Sequence, residues 1–122
     1  MLKKILIVDD EADVVEALEA RLKAKKYSVT MAKSGLEALA KAKETEPDLI
    51  ILDIMMPDMN GTEVARILRD DNTTKDIPII FLTALQTKKD EKREGSEIAG
   101  NTVLAKPFEF PQLLSKIKQL IG

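Results

Sequence analysis

The sequence predicts an α/β domain built on a single parallel sheet, and three observations lead to this prediction. Several short segments are apolar without interruption, as strands of a parallel sheet must be when helices cover both of its faces. Between these segments, apolar residues recur with the period of a helix. Strand and helix patterns alternate five times, which joins parallel strands through right-handed crossovers.

Five strands are predicted along the chain. Ile5–Val8, Leu49–Leu52 and Ile77–Leu82 are apolar runs of the kind found in strands buried on both faces. Tyr27–Met31 alternates apolar and polar residues instead, which indicates an edge strand with one face nearer to water. Thr102–Ala105 is a short fifth strand, which we expect at the opposite edge.

Five helices are predicted from the segments between the strands. Four of them contain apolar stripes at helical spacing, which are Val14, Leu18 and Leu22; Leu36, Leu39 and Ala40; Val64, Ile67 and Leu68; and Leu113, Leu114, Ile117, Leu120 and Ile121. Ser34 precedes the second stripe, where its hydroxyl can cap the helix. The fourth helix in chain order, within Gln86–Ala99, is almost wholly polar and contains Gly95, so we expect it to be the least stable.

Length and composition favour one domain that covers residues 1–122. The chain is 44% hydrophobic and 33% charged, which permits a real core. Its net charge of −2 lacks the basic excess that is typical of nucleic-acid binders. No apolar run approaches the roughly 20 residues that a membrane span requires. We therefore expect a soluble, cytoplasmic domain with neither nucleic acid nor membrane as a partner.

Cysteine and histidine are both absent from the sequence. The lack of cysteine excludes disulfides, thiol catalysis and cysteine metal sites. The lack of histidine removes the commonest general base and the commonest zinc ligand. Any chemistry on this chain has to use carboxylates, hydroxyls and amines.

Polar residues follow the predicted strands at the places where ligands bind in open parallel sheets, beyond the carboxyl ends of the strands. The first strand is followed by Asp9 and Asp10, and the third by Asp53. The fourth strand is followed by Thr83, and the fifth by Lys106. Three carboxylates, a hydroxyl and an ammonium group are therefore expected to converge on one rim of the sheet.

This set of groups suits phosphoryl transfer. Three clustered carboxylates repel one another unless a cation joins them, and Mg²⁺ is the divalent ion that best fits an oxygen ligand set. A carboxylate beside Mg²⁺ can act as a nucleophile toward phosphorus and form an aspartyl phosphate. The metal ion, the ammonium group and the hydroxyl would then stabilise the charge on the phosphoryl oxygens.

Four sequence segments carry a family resemblance. They are Val8–Glu11, Leu52–Gly61, Thr83–Ala84 and Lys106–Phe108. With these segments in this order, essentially the whole chain resembles the receiver domain of two-component response regulators. The resemblance implies a flavodoxin-like sheet of five strands in the order 2-1-3-4-5, together with five helices.

The resemblance also implies roles for the acidic residues. Asp53 accepts a phosphoryl group from a histidine kinase or from a phosphohistidine transfer protein. Asp10 and Asp53 bind Mg²⁺ directly, Asp9 acts chiefly through water, and the backbone carbonyl of Met55 is a further ligand.

Further expectations from the resemblance concern the phosphoryl group and the output. Thr83 and Lys106 bind the phosphoryl oxygens. The domain catalyses its own phosphorylation and dephosphorylation but is not a conventional turnover enzyme. Its downstream protein is expected on a surface formed by the fourth helix, the fifth strand and the last helix. The positions that flank the attacking water in receivers are Met55 and Leu85, both apolar, so we expect slow self-dephosphorylation.

Two departures from the family pattern narrow the subclass. Receivers commonly have an aromatic residue three positions before the lysine, and here that position is Val103. The segment Gly100–Thr102 also lacks the acidic pair that is common there in transcriptional regulators. The missing acidic pair disfavours a DNA-binding regulator, and we expect a stand-alone receiver that resembles the chemotaxis regulators.

Other readings of the same residues remain open from sequence alone. Asp9 and Asp10 can serve as caps of the first helix, and Gly61 as a turn residue. A Mg²⁺-dependent aspartyl-phosphate phosphatase of the haloacid dehalogenase type would carry an aspartate at the position of Met55. A flavodoxin would carry a phosphate-binding loop rich in serine, threonine and glycine after the first strand. The remaining alternative is a partner-binding module that is not phosphorylated.

Overall fold

Strands and helices alternate along the chain in the computed structural model, which describes residues 2–84, 97–98 and 101–122. In chain order, the elements are β1 (Lys4–Val8), α1 (Ala12–Ala24), β2 (Ser28–Ala32), α2 (Gly35–Thr45), β3 (Leu49–Asp53), α3 (Gly61–Arg69), β4 (Ile79–Ala84), β5 (Glu97–Ile98), β6 (Asn101–Lys106) and α4 (Phe110–Ile121). Each of the five predicted strands lies within about two residues of an observed one.

The sheet has the strand order β2-β1-β3-β4-β6-β5. All pairings from β2 to β6 are parallel. The five parallel strands therefore follow the predicted order 2-1-3-4-5, and the α/β fold class is confirmed. The carboxyl ends of β1 and β3 are neighbours in this order, so residues that follow these two strands meet at one rim.

The region of the predicted fourth helix differs from the prediction. Most of Gln86–Ala99 lies outside the described residues, and the described part of the chain contains four helices. Glu97 and Ile98, which were predicted as helical, form β5 and pair antiparallel with β6. The predicted edge strand at Thr102–Ala105 is consequently flanked on both sides. Without β5, the outer edge of β6 would present unpaired backbone N–H and C=O groups, and β5 forms hydrogen bonds with part of that edge.

The sheet separates two apolar clusters. The cluster under α1 and α4 includes Ile5, Ile7, Leu18, Leu22, Leu113 and Ile117. The cluster under α2 and α3 includes Leu6, Val8, Ala38, Ala42, Val64 and Leu68. Alternate residues of a strand thus enter opposite clusters, which is why the central strands are apolar at every position.

Of the apolar stripe predicted for α2, Leu39 is partly buried against the cluster under α2 and α3, but the prediction was wrong for the other two residues. Leu36 is 65% exposed and Ala40 is also exposed. The buried residues of the helix are small, namely Gly35, Ala38 and Ala42. A Cβ atom on Gly35 would lie 2.7 Å from Cβ of Met59 in the loop before α3. At Gly35 the helix packs so closely on the loop that a larger side chain would not fit.

Arg69 joins three elements at the amino end of the sheet. Its Nη1 donates hydrogen bonds to the carbonyl oxygens of Lys75 and Ile77, each at 2.8 Å, and its Nη2 donates to Oδ1 of Asn101. These bonds connect the end of α3 to the segment before β4 and to the start of β6.

Within the described residues, no helix is both long enough and apolar enough to span a membrane.

Candidate functional site

Three aspartates meet at the carboxyl ends of β1 and β3. Asp9 and Asp10 follow β1, and Asp53 is the last residue of β3. Carboxylate oxygens of the three side chains lie within 4.8 Å of one another. Asp9 is fully buried, Asp53 is only 4% exposed, and Asp10 is exposed. The strand order thus assembles residues that are more than forty positions apart in sequence into one acidic cluster.

Lys106, the last residue of β6, reaches into this acidic cluster. Its Nζ lies 2.8 Å from Oδ2 of Asp9, 3.6 Å from Oδ2 of Asp53 and 3.4 Å from Oε1 of Glu11. The Lys106 side chain is mostly buried, and the following peptide bond to Pro107 is cis. Burial by itself lowers the pKa of Lys106, but the hydrogen bond with Asp9 and the nearby carboxylates raise the pKa above its usual value.

The electrostatics of Asp53 follow from its burial and its neighbours. The pKa of Asp53 is raised from 3.8 to about 6, chiefly by burial and further by the charges of Asp9 and Asp10. The charge of Lys106 and the hydrogen bond from the Met55 N–H lower the pKa but do not compensate fully. A cation bound at the cluster would stabilise the ionised form of Asp53.

Local turns orient the two buried carboxylates. Oδ1 of Asp9 accepts a hydrogen bond from the N–H of Glu11 at 2.9 Å, and Oδ1 of Asp53 accepts one from the N–H of Met55 at 3.2 Å. Each aspartate therefore bonds to the backbone two residues ahead, which turns the chain from strand into loop. In both residues Oδ2 faces Lys106. The alternative in which Asp9 and Asp10 cap the first helix is wrong, because the N-cap residue of α1 is Glu11 and its side chain makes no capping hydrogen bond.

Comparison with known proteins agrees with this geometry. The family model described as the response regulator receiver domain matches residues 5–118. The chain belongs to this family. Receiver domains are phosphorylation switches of two-component signalling systems rather than conventional turnover enzymes, and that is the function class of this chain.

Individual relatives differ in how much of their length the chain covers. PleD, a response regulator of Caulobacter vibrioides, is 42% identical over 120 residues, which is 98% of this chain but 26% of PleD. DivK, a polar-differentiation response regulator of Brucella ovis, is 36% identical over 125 residues, which covers 100% of this chain and 98% of DivK. The chain spans about half the length of other regulators that it matches.

A solved structure supports the same fold assignment. TrrA, a response regulator of Thermotoga maritima, was solved in complex with Mg²⁺ and BeF. It superposes on this chain with a TM-score of 0.82 and 38% sequence identity, covering 98% of this chain and 100% of TrrA. The part of the chain that the structure describes therefore shares the doubly wound architecture of the receiver domain.

Thr83 and Met55 lie near the acidic cluster in different settings. Asp53 stands opposite Leu82 in the β3–β4 register, so Thr83 is one position farther toward the rim. Thr83 is half-buried in β4, the strand between those that carry Asp53 and Lys106. Met55 is 68% exposed, while its N–H binds Asp53. Leu85, the other position expected to flank the attacking water, lies outside the described residues.

Gly61 is a site residue whose role the sequence analysis missed. Its N–H donates to the carbonyl oxygen of Ile54 at 2.8 Å. A Cβ atom at this position would lie 2.4 Å from the carbonyl oxygen of Asp53, so any side chain would displace that backbone. The turn reading is insufficient, because Gly61 begins α3 and lets the helix rest on the end of β3. Glycine in the first turn of a helix, where its propensity is poor, was the available signal.

A largely apolar groove of about 530 Å³ opens beside Lys106. It runs between α1 and the segment that follows β6, and Leu18, Pro107 and Phe108 contribute to its lining. The guanidinium carbon of Arg21 lies 5.1 Å from the centre of the Phe110 ring, which is within the range of a cation–π contact. This contact holds α1 against the start of α4.

Proposed function

We propose that Asp53 is the residue of this receiver domain that accepts a phosphoryl group from a phosphohistidine donor. The observation that carries this proposal is the position of Asp53: it is a nearly buried carboxylate with other acidic groups beside it and Lys106 Nζ 3.6 Å away. One oxygen of Asp53 forms the new P–O bond, the P–N bond of the donor breaks, and the donor nitrogen retains the bonding electrons.

We assign the acidic cluster to Mg²⁺, with Asp10 and Asp53 as direct carboxylate ligands, Asp9 acting through water, and the Met55 carbonyl as a further ligand. Oxygen ligands of this kind are those that Mg²⁺ prefers. The raised pKa of Asp53 supports a cation site, since the buried carboxylates lack sufficient positive charge. The Mg²⁺ bound to the relative TrrA supports the same choice of ion. When bound, Mg²⁺ supplies positive charge for the phosphoryl oxygens.

Lys106 and Thr83 are proposed to bind the transferred phosphoryl group. Lys106 already lies between Asp9 and Asp53, so a short movement of its Nζ would pair it with a phosphoryl oxygen on Asp53. The Thr83 hydroxyl, at the end of the intervening strand, would donate a hydrogen bond to another oxygen. Through these groups the domain would catalyse its own phosphorylation and dephosphorylation.

The proposed partners follow from the reaction. The proposed phosphoryl donor is a histidine kinase or a phosphohistidine transfer protein, as membership of the receiver family implies. The downstream protein is proposed to bind the surface of β6, α4 and the segment 86–99, of which most lies outside the described residues. We propose that this receiver domain acts in the cytoplasm, where ATP-dependent kinases act.

Incubation with Mg²⁺ and acetyl phosphate tests the assignment of Asp53. We expect the wild-type protein to gain the mass of one phosphoryl group, as an acid-stable, base-labile adduct. Asp53→Asn keeps the shape of the residue but lacks the nucleophilic charge, so it should gain nothing. Asp71→Asn is the matched control, because Asp71 lies near the other end of the molecule in the turn after α3, and it should be labelled like the wild type.

The outcomes separate this function from the alternatives. Equal labelling of Asp53→Asn and the wild type would overturn the assignment of Asp53. Rapid consumption of the donor without a lasting adduct would favour an aspartyl-phosphate phosphatase. A wild-type protein that is never labelled would favour a partner-binding module that is not phosphorylated.

A further inference from the structure

The loop between β3 and α3, residues 54–60, is tied to the start of α2 by one carboxylate. Oδ1 of Asp58 accepts a hydrogen bond from the N–H of Gly35 at 3.0 Å. Its Oδ2 accepts another from the N–H of Leu36 at 3.2 Å. Both carboxylate oxygens of Asp58 thus accept hydrogen bonds from backbone amides of α2, which lie more than twenty positions earlier in the sequence.

This contact is more than an ordinary cap, because α2 has a cap of its own. The first four N–H groups of a helix have no partner within the helix. In α2, Ser34 supplies two acceptors: its Oγ binds the N–H of Glu37 at 3.1 Å, and its carbonyl oxygen binds the N–H of Ala38 at 2.9 Å. Asp58 satisfies the remaining two amides from another element. Its bonds therefore fix the loop as much as they fix the helix.

The same loop is fastened to the phosphorylation site at its two ends. At the start, the N–H of Met55 binds the carboxylate of Asp53. At the end, the N–H of Gly61 binds the carbonyl oxygen of Ile54. Asp58 lies between these attachments, where it secures the outer part of the loop. The backbone of Met55, the proposed carbonyl ligand of Mg²⁺, is carried by the segment that these three attachments hold.

We propose that Asp58 is a positioning residue for the Mg²⁺ site: by docking the 54–60 loop on the first turn of α2, it holds the Met55 carbonyl in place for metal binding. This inference rests on the proposed function, since it requires a Mg²⁺ site at the acidic cluster. Groups that orient metal ligands without touching the metal commonly change the metal affinity by about tenfold or more when they are removed.

Magnesium binding measured by calorimetry on the full chain tests this proposal, with four proteins compared. Asp58→Ala removes both acceptors, Asp58→Asn keeps one carbonyl oxygen, and Ser34→Ala weakens the same helix end without touching the loop. Working in about 1 M KCl shortens the Debye length to about 3 Å, so the lost charge of Asp58 contributes little at a distance. Because the Asp58 side chain is exposed, both of its variants should fold.

We expect the Mg²⁺ dissociation constant to rise about tenfold in Asp58→Ala, less in Asp58→Asn, and not at all in Ser34→Ala. Unfolding in the presence of EDTA should show similar losses of stability for Asp58→Ala and Ser34→Ala, because both lose bonds at the same helix end. Unchanged Mg²⁺ affinity in Asp58→Ala would overturn the inference. An equal loss in Ser34→Ala would also overturn it, since α2 stability alone would then set the affinity.

The two levels of the argument fail in different ways. If the wild type bound no Mg²⁺, the proposed metal site itself would be wrong, and the role of Asp58 with it. If the wild type bound Mg²⁺ and all three variants bound it equally well, the metal site would stand and only the positioning role would fall.

Discussion

The two ends of the sheet organise charge in opposite ways. At the carboxyl end, the ammonium group of Lys106 is shared among the carboxylates of Asp9, Asp53 and Glu11. At the amino end, the guanidinium of Arg69 donates to backbone carbonyls and to an amide oxygen. At the carboxyl end, the carboxylates carry more negative charge than Lys106 neutralises. At the amino end, Arg69 donates its hydrogen bonds to neutral acceptors.

The acidic cluster destabilises the folded protein until a ligand binds, whereas the Arg69 contact stabilises the fold. A buried carboxylate that lacks compensation destabilises the folded state, and a ligand that supplies the missing charge regains that free energy on binding. The Arg69 contact has no such surplus, because its donors already have acceptors. The acidic cluster should therefore respond to pH, to Mg²⁺ and to loss of a carboxylate, while the Arg69 contact should respond only to loss of its hydrogen bonds.

The largest expected effect is on the amino end. Arg69→Ala should lower the free energy of unfolding by roughly 2–4 kcal/mol, because several charge-assisted hydrogen bonds are lost together. Chemical denaturation measures this change. Arg66→Ala is the matched control on the same helix. Among the described residues, the Arg66 side chain makes only an exposed 4.0 Å ion pair with Asp70, so this variant should cost about 0.5 kcal/mol or less. Equal losses in the two variants would contradict the anchoring role of Arg69.

The next effect, at the carboxyl end, has the opposite sign. Asp53→Asn should raise the free energy of unfolding of the metal-free protein by up to about 3 kcal/mol at neutral pH, at 1.36 kcal/mol for each unit of the raised pKa. The folded-state pKa of about 6 exceeds the ordinary 3.8, so the folded wild type takes up its proton first as the pH falls. The wild type should regain stability between these two values, and the advantage of Asp53→Asn should disappear below 3.8.

Asp71 supplies a control for that pH dependence, with the sign reversed. Hydrogen bonds from the backbone N–H and the side-chain hydroxyl of Thr73, together with the contact from Lys43, lower the pKa of Asp71 to about 2. Asp71→Asn should therefore destabilise the protein at neutral pH, and the loss should vanish as the pH falls from the ordinary value of 3.8 through about 2. Parallel pH profiles for the Asp53 and Asp71 variants would refute the contrast.

The smallest expected effect concerns the lifetime of the phosphorylated state. Met55 is exposed beside Asp53, and its apolar side chain offers no strong hydrogen bond to an attacking water. Met55→Asn should shorten the lifetime by about tenfold, equivalent to about 1.4 kcal/mol of barrier. Loss of phosphate at matched Mg²⁺ measures the rate, with Leu2→Asn as a control at another exposed apolar residue. An unchanged rate in Met55→Asn would show that water access at this position is not limiting.

Sequence patterns predicted the strands better than the face of one helix. Continuous apolar runs such as Leu49–Leu52 have one explanation in a globular chain of this size, which is burial on both faces. The spacing of Leu36 and Ala40 indicates a helix, but it does not tell which face of α2 is buried. The close approach of Gly35 to Met59 decided which face is buried, and this approach depends on a loop from another part of the chain.

The segment before β6 shows a second limit of sequence reasoning. The segment Gln86–Ala99 is almost wholly polar, and nothing in its sequence indicated that Glu97 and Ile98 pair with the edge of a strand. A pairing of this kind depends on an exposed edge, which exists only after the other strands have assembled.

The sequence by itself determined the chemical groups of this receiver domain and the order in which they occur: carboxylates after β1 and β3, a hydroxyl at the end of β4 and a lysine at the end of β6. Local patterns suffice for these features because strand ends and residue types are properties of short segments. Only the tertiary structure decided how the groups interact. The sharing of Lys106, the raised pKa of Asp53, the contact of Gly61 with the Asp53 backbone and the docking of Asp58 on α2 all join distant segments. The strength of these interactions depends on the distances between the groups and on their burial, and both are fixed only when the chain has folded.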